Sequence, residues 1–190
     1  MTDLDFSVDP ETLHEVYADP DAVRARIQQL RAEVRDALDE VDELRARGEL
    51  VEFLRGVGDL GEALTEARRA VDRADIAGNG AQQHMARLRL AHVQQWRGDF
   101  AESNLIFTEL LAVAGQFGPV IEAFTHQHAG MNDYDQGHWD DARAQFARAL
   151  AIRDELELDE AAASRVALEA AVRHGKGTDT IESHDIEEGK

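Results

Sequence analysis

The 190-residue chain has no cysteine and few basic residues, with 20 lysines and arginines against 39 acidic residues. Without cysteine, the protein has no disulfide, no thiolate nucleophile and no cysteine-based zinc site. The formal charge of −19 argues against nucleic acid as a partner, because a phosphate backbone requires a basic surface. It also disfavours docking on an anionic membrane. We therefore expect neither nucleic acid nor membrane among the partners.

Long apolar runs are absent as well. No stretch approaches the roughly 18 uncharged residues that a membrane-spanning helix needs. The first residues carry acid at Asp3 and Asp5, where a secretory signal would carry positive charge. These features predict a cytoplasmic protein. With 43% hydrophobic residues, the chain has enough apolar surface for a core, and its length suits one domain of about 100–200 residues.

A repeat runs through the centre of the chain. Three segments align without gaps from Gly58, Gly98 and Gly137, which are 40 and 39 residues apart. A helical pattern precedes and follows each glycine, and Gly175 follows one more alanine-rich stretch. Two helices in each unit of this length predict an α-solenoid.

The aligned positions describe one face of the second helix in each repeat. Positions 2, 5, 9 and 13 after the glycine share a face at a period near 3.6. They are Leu60, Phe100 and Trp139; Ala63, Ser103 and Ala142; Ala67, Phe107 and Phe146; and Val71, Leu111 and Leu150. The small residue five positions after the glycine lets the two helices of a hairpin approach closely. Asp59, Asp99 and Asp140 are expected to cap these helices.

These turns make the chain resemble a tetratricopeptide-repeat (TPR) protein. The resemblance also includes Phe107 and Phe146 downstream, with the large–small pair Leu90-Ala91 and the pair Ala129-Gly130 in the first helices. It covers roughly residues 44–155. The period exceeds the usual length of about 34 residues, as in regulatory bacterial TPR proteins. The resemblance implies an all-α fold in which the hairpins stack as a right-handed superhelix.

The breaks in the pattern divide the chain. Gly78-Asn79-Gly80 and Gly118-Pro119 separate neighbouring hairpins. The predicted parts are an N-terminal region with a long capping helix (1–43), hairpins at about 44–77, 82–116 and 119–156, a capping helix (159–174) and a disordered acidic tail (175–190).

The long N-terminal helix carries an apolar seam at heptad spacing. It is expected to begin near Asp19-Pro20, and its seam is Val23, Ile27, Leu30, Val34, Ala37, Val41 and Leu44. One interpretation is a helix that covers the open end of the solenoid. The alternative is a seam that joins two copies as a homodimer.

The predicted binding site is the concave groove that the first helices of TPR hairpins line. By the resemblance its residues are Arg55, Arg89, His92, Gln95, Trp96, Gln127, His128, Met131 and Tyr134. Such a mixture is typical of protein-recognition hot spots. The sequence thus predicts a scaffold that holds a peptide or helix of another protein, with Trp96, Met131 and Tyr134 as anchors. The negative charge favours a basic or mixed-charge partner.

No motif indicates catalysis or a cofactor. The chain has no Gly-x-Ser-x-Gly turn, phosphate loop or dinucleotide-binding fingerprint. His126 and His128 are two residues apart and point away from each other on a helix. Glu122 and His126, four apart, would hold a metal only with a remote ligand such as His92. We predict neither an enzyme nor a metal site. A metal- or small-molecule-sensing module and self-association through the heptad helix remain alternatives.

Overall fold

The computed structural model describes residues 4–77 and 79–182. Over these residues the chain forms eight α-helices, and the only strands are two short ones near the N-terminus. The expected helical fold is confirmed, and helices that follow each other in sequence pack on each other within two compact units. Unit 1 ends at Phe117, and unit 2 begins at Gly118. None of the helices described is long and apolar enough to cross a membrane.

The elements follow one another with short connections. Unit 1 contains β1 (Phe6–Val8), β2 (Glu15–Tyr17), α1 (Pro20–Asp36), α2 (Glu40–Gly56), α3 (Leu60–Ala77), α4 (Gly80–Arg97), α5 (Phe100–Val113) and a 3-10 turn (Ala114–Phe117). Unit 2 contains α6 (Pro119–Asp135), α7 (Trp139–Glu155) and α8 (Ala161–Glu182). The three predicted helix pairs correspond to α2–α3, α4–α5 and α6–α7.

The prediction of one long N-terminal helix is wrong in one respect, because the helix is interrupted at residues 37–39. Helix α1 ends at Asp36, and Ala37 turns to an extended conformation with ψ 134°. Asp39 then caps α2 by accepting from the backbone nitrogen of Asp42. A capping aspartate before an acidic first turn is a strong helix start, and here it prevails over the heptad pattern. Leu38 is left 97% exposed at the break.

The seam of α1 lies inside unit 1. Val23, Ile27 and Leu30 are buried in a core that also contains Leu50 and Leu54 of α2. This part of the seam covers the first helix pair, as the capping interpretation requires. It is therefore not available to a second copy while the unit is folded.

The repeat turns adopt the same backbone conformation three times. Gly58, Gly98 and Gly137 have φ values of 83°, 77° and 76°, a region that glycine enters without steric cost. The aligned residues five and nine positions after each glycine are buried: Ala63, Ser103, Ala142, Ala67, Phe107 and Phe146. The prediction that an aspartate side chain caps the helix after each turn is wrong for two of the three turns. Asp99 makes no side-chain cap bond, and Asp140 lies within α7, where His138 is the residue before the helix.

Helix α8 corrects the predicted start of the tail. Residues 175–182 continue this helix, because no proline interrupts it and each glycine costs only about 1 kcal/mol in a helix interior. The rest of the predicted tail, 183–190, lies outside the described residues.

Candidate peptide-binding site

The predicted groove residues of unit 1 converge where α2 and α4 end. The guanidinium carbon of Arg55 lies 4.5 Å from the ring centroid of Trp96, a cation–π distance. His92, one turn earlier on α4, meets the same indole edge-on at 6.4 Å between centroids. Arg55 is only 3% exposed. The structure therefore brings together Arg55, His92 and Trp96, but Arg55 and His92 are buried and Trp96 is half-buried.

The cover is the β-hairpin at residues 4–18. Its strands pair antiparallel with Phe6 opposite Tyr17 and Val8 opposite Glu15. The turn is stabilised by the Asp9 carboxylate, whose Oδ1 accepts from the backbone nitrogens of Glu11 and Thr12 at 2.9 Å. These bonds lower the pKa of Asp9. The β-hairpin thus forms backbone hydrogen bonds within itself, in addition to its contacts with the helices.

Three side chains near the end of the β-hairpin bind the helices. The His14 ring stacks on Trp96 at 4.2 Å between centroids and 16° between planes. The Glu15 carboxylate accepts a 2.6 Å hydrogen bond from Arg55 Nη2. Tyr17 packs against Phe53 at 5.7 Å, and burial, with the Glu15 charge, raises the pKa of Tyr17 to about 12. The chain's own N-terminus therefore occupies the face predicted for a partner.

The β-hairpin is not a perfect occupant of this face. Buried Leu13 has φ 59°, a left-handed conformation that costs a residue with a Cβ roughly 1–2 kcal/mol. The Nη1 atom of Arg55 and the Nε1 atom of Trp96 are buried without a hydrogen-bond partner among the described residues. A buried donor left unpaired costs about 1–3 kcal/mol. The covered face thus has two donors that a ligand with suitable acceptors would satisfy.

Arg89 and Gln95 serve the packing of unit 1. The Arg89 Nε atom donates to Glu52 Oε1 at 2.8 Å and so ties α4 to α2. The Gln95 side chain is buried. Of the predicted groove residues in this unit, Arg55 and Trp96 bind the β-hairpin directly.

The groove residues predicted in unit 2 are buried, contrary to their expected exposure. Gln127 Oε1 accepts from Ser164 Oγ at 2.7 Å and from Arg153 Nη1 at 3.1 Å. The Tyr134 ring lies 5.0 Å from Trp139 and 5.6 Å from His174 between centroids. The physical reason is that α8 packs on both α6 and α7.

The remaining two predicted positions in unit 2 are interior as well. His128 meets Phe124 edge-on at 4.3 Å between ring centroids, and Met131 is buried. None of the four is placed to anchor a partner while unit 2 is folded as described.

The histidines of α6 are engaged within unit 2. His126 Nδ1 lies 2.6 Å from Gln145 Oε1, and its Nε2 is 4.0 Å from Glu122. Glu122 also accepts a 2.5 Å hydrogen bond from Arg148. In the part of the chain that the structure describes, no three histidine, aspartate or glutamate side chains are arranged to hold a metal ion.

His14 and Glu15 are the site residues that sequence reasoning missed. They lie in a segment that has no helical period and precedes the first repeat. One local signal was present: Asp9-Pro10 stands between the strand-type residues Phe6, Val8 and Val16, a pattern typical of a β-hairpin. That signal predicts the turn but not the helix face on which it packs.

Comparison with known proteins adds no family assignment. No family model matches the chain, and no curated protein is significantly similar to it. The resemblance to TPR proteins accordingly rests on the repeat residues and on the three turns that share one backbone conformation.

Proposed function

We propose that the protein is a non-catalytic, cytoplasmic interaction module of the TPR type that binds a segment of a partner protein. The binding face is the end of α2 and α4 that carries Arg55 and Trp96. One observation carries the proposal: this face already binds an extended segment, through a ring on Trp96 and a carboxylate on Arg55. A face that holds one peptide through side chains has the chemistry to hold another.

The helical architecture supports the same proposal. Within each unit, helices that follow one another in sequence pack on each other, which is consistent with a helical repeat. Stacked TPR hairpins in a right-handed superhelix would present neighbouring first helices side by side. Helices α2 and α4 are such a pair, and they contact each other directly. In this proposal, their adjacency creates the binding face.

The partner segment is expected to carry charges of both signs. The buried Arg55 guanidinium favours a carboxylate at the centre of the contact. The net charge of −19 favours basic residues in the flanks, since the acidic field attracts them over a longer range. The proposal is non-catalytic because the chain carries none of the catalytic motifs considered above.

The test is affinity capture with the full chain, followed by titration calorimetry on the captured segment. We expect Trp96→Ala and Arg55→Gln each to weaken binding by about 30-fold, the effect of losing a hot-spot residue worth roughly 2 kcal/mol. The matched control is Arg45→Gln on α2, whose side chain is 58% exposed. It should bind like the wild type.

Circular dichroism on each variant establishes that the helices are retained. Partners that bind the wild type and the Trp96 and Arg55 variants equally well would refute the assignment of this face.

A further inference from the structure

We propose that the β-hairpin, residues 4–18, is a built-in competitor that leaves the face of Arg55 and Trp96 when a partner binds. The partner segment would offer the same order of groups: a flat ring, a carboxylate, one free position and a second aromatic ring. This inference rests on the proposed function and specifies both the ligand chemistry and the regulation of that face.

The order of groups follows from the contacts of the β-hairpin. His14 stacks on the indole, Glu15 binds the guanidinium, and Tyr17 packs on Phe53. Val16, between them, is 52% exposed. A four-residue linear motif therefore makes the ring and charge contacts with this face, and its third position is unrestricted. Leu4 adds apolar packing on the core of unit 1.

Imperfect contacts make the β-hairpin replaceable. Leu13 is held at φ 59°, and Arg55 Nη1 and Trp96 Nε1 are buried without acceptors among the described residues. A partner segment with ordinary extended backbone avoids the first cost. One that places a carbonyl or hydroxyl oxygen near these nitrogens satisfies donors that the β-hairpin leaves unpaired.

The β-hairpin can also detach without uncapping the helix that follows it. Its backbone bonds are internal: Asp9 N donates to the His14 carbonyl, and Ala18 N donates to the Asp5 carbonyl. The cap of α1 is independent of it, because Asp19 Oδ1 accepts from the nitrogens of Asp21 and Ala22. The segment can therefore move as a unit about the Ala18–Asp19 junction while α1 remains capped.

The test uses a fluorescein-labelled synthetic peptide with the sequence of residues 4–18, titrated into the full chain and followed by anisotropy. The chain is prepared as wild type, His14→Ala, Glu15→Gln and, as a charge-matched control, Asp5→Asn. The Asp5 side chain is exposed and remote from Arg55 in the pairing of the strands. Each substitution is in the chain's own β-hairpin, whereas the peptide keeps the wild-type sequence.

We expect the peptide to bind the His14→Ala and Glu15→Gln chains about tenfold more tightly than the wild type. The face is then free for a larger fraction of the time, and the apparent affinity rises with that fraction. The Asp5→Asn chain should bind as the wild type does. A peptide with His14 and Glu15 exchanged should bind at least tenfold more weakly. Hydrogen exchange at the Leu13 and Ala18 amides of the full chain should accelerate when the peptide saturates it, because a two-stranded β-hairpin that no longer packs on the helices is only marginally stable in water.

Equal affinity for all four chains, or no saturable binding to any of them, would overturn the inference. The proposed function fails differently, when captured partners bind independently of Arg55 and Trp96. A partner that needs both residues but binds the wild-type and Glu15→Gln chains equally would retain the function and refute the competitor.

Discussion

The two units bury arginine in different surroundings. In unit 1, Arg47 pairs with the carboxylates of Glu43 and Glu66, and Arg55 pairs with Glu15. In unit 2, buried Arg153 donates its hydrogen bonds to neutral oxygens. These are the side-chain oxygens of Gln127 and Ser164 and the backbone carbonyl of Glu160.

The difference shows what each arginine does for its unit. A guanidinium between carboxylates neutralises charges that are already buried, so its loss removes their buried partner. The carboxylates of Glu66 and Glu43 then keep only the more exposed arginines Arg69 and Arg73. A guanidinium among neutral dipoles carries the desolvation cost itself, and burial accordingly lowers the pKa of Arg153. Unit 1 therefore depends on buried Arg47 for its stability, whereas unit 2 depends far less on buried Arg153.

Replacing Arg47 and Arg153 by methionine, one at a time, tests this comparison. Of these and the following substitutions, Arg47→Met should change the free energy of unfolding most. Arg47→Met leaves buried Glu66 with only the largely exposed Arg69 as its partner, and we expect the free energy of unfolding of unit 1 to fall by about 3 kcal/mol, the lower end of the range for breaking a buried ion pair. Arg153→Met should cost unit 2 only about 1 kcal/mol, because the loss of its hydrogen bonds is largely offset by relief of the desolvation of the buried guanidinium. Urea unfolding measures both, because unit 1 contains Trp96 and unit 2 contains Trp139.

Each tryptophan is followed alone, after the other has been changed to phenylalanine. Arg45→Met on the exposed side of α2 is the control and should change stability by less than about 0.5 kcal/mol. Equal losses for Arg47→Met and Arg153→Met would mean that the carboxylates do not distinguish the two sites.

The helix pairs also differ in how closely they approach. In unit 2, a Cβ at Gly130 would lie 2.7 Å from two ring atoms of fully buried Phe146, whereas unit 1 has Ala91 at the aligned position. We expect Gly130→Ala to destabilise unit 2 by about 2 kcal/mol, because overpacking exceeds the gain in helix propensity of about 1 kcal/mol. Urea unfolding followed at Trp139 measures the change.

A compensating substitution serves as the control for that prediction. Gly130→Ala combined with Phe146→Leu should lose less than the two single substitutions summed, because the smaller side chain makes room for the methyl group. A stabilising Gly130→Ala would show that α6 and α7 separate without cost and that the close approach is not a constraint.

The sequence predicted those features that depend on local pattern. The period of 39–40 residues placed the turn glycines, and the spacing behind them identified Ala63, Phe107 and Phe146 as core. The start of α2 at Glu40 was missed because a heptad pattern spans the break, although Asp39 is a capping residue. Here local capping chemistry outweighed an apolar period.

Exposure of the predicted site could not be deduced in the same way. Whether Arg55 or Tyr134 is open depends on which other element covers its helix, and a helical period does not contain that information. The β-hairpin covers Arg55, and Tyr134 lies among aromatic rings that include His174 of α8. The residue types at these positions are consistent with a binding groove. Which elements cover them depends on the tertiary structure, which the helical pattern does not specify.

The smallest expected change in stability concerns the position four residues before the turn glycines Gly98 and Gly137. Unit 1 has neutral Gln94 there, and unit 2 has ionisable Asp133. In both units the backbone carbonyl at this position accepts from the residue after the glycine. Burial, together with the charge of Asp141, raises the pKa of Asp133 from its usual 3.8 to about 6. No such ionisation occurs at Gln94.

This difference should give unit 2 a dependence on pH that Gln94 does not give unit 1. Because the folded state binds the Asp133 proton more tightly than the unfolded state does, stability falls as pH rises from about 4 to about 6 and stays low above that. Asp133→Asn should therefore stabilise unit 2 by about 1 kcal/mol at pH 7.5, a value reduced for solvent screening, and have no such effect at pH 4. The measurement is urea unfolding followed at Trp139 at both pH values, with exposed Asp159→Asn as the control. A gain that is the same at both pH values would come from packing or hydrogen bonding, and the charge of Asp133 would then have no part in distinguishing the two units.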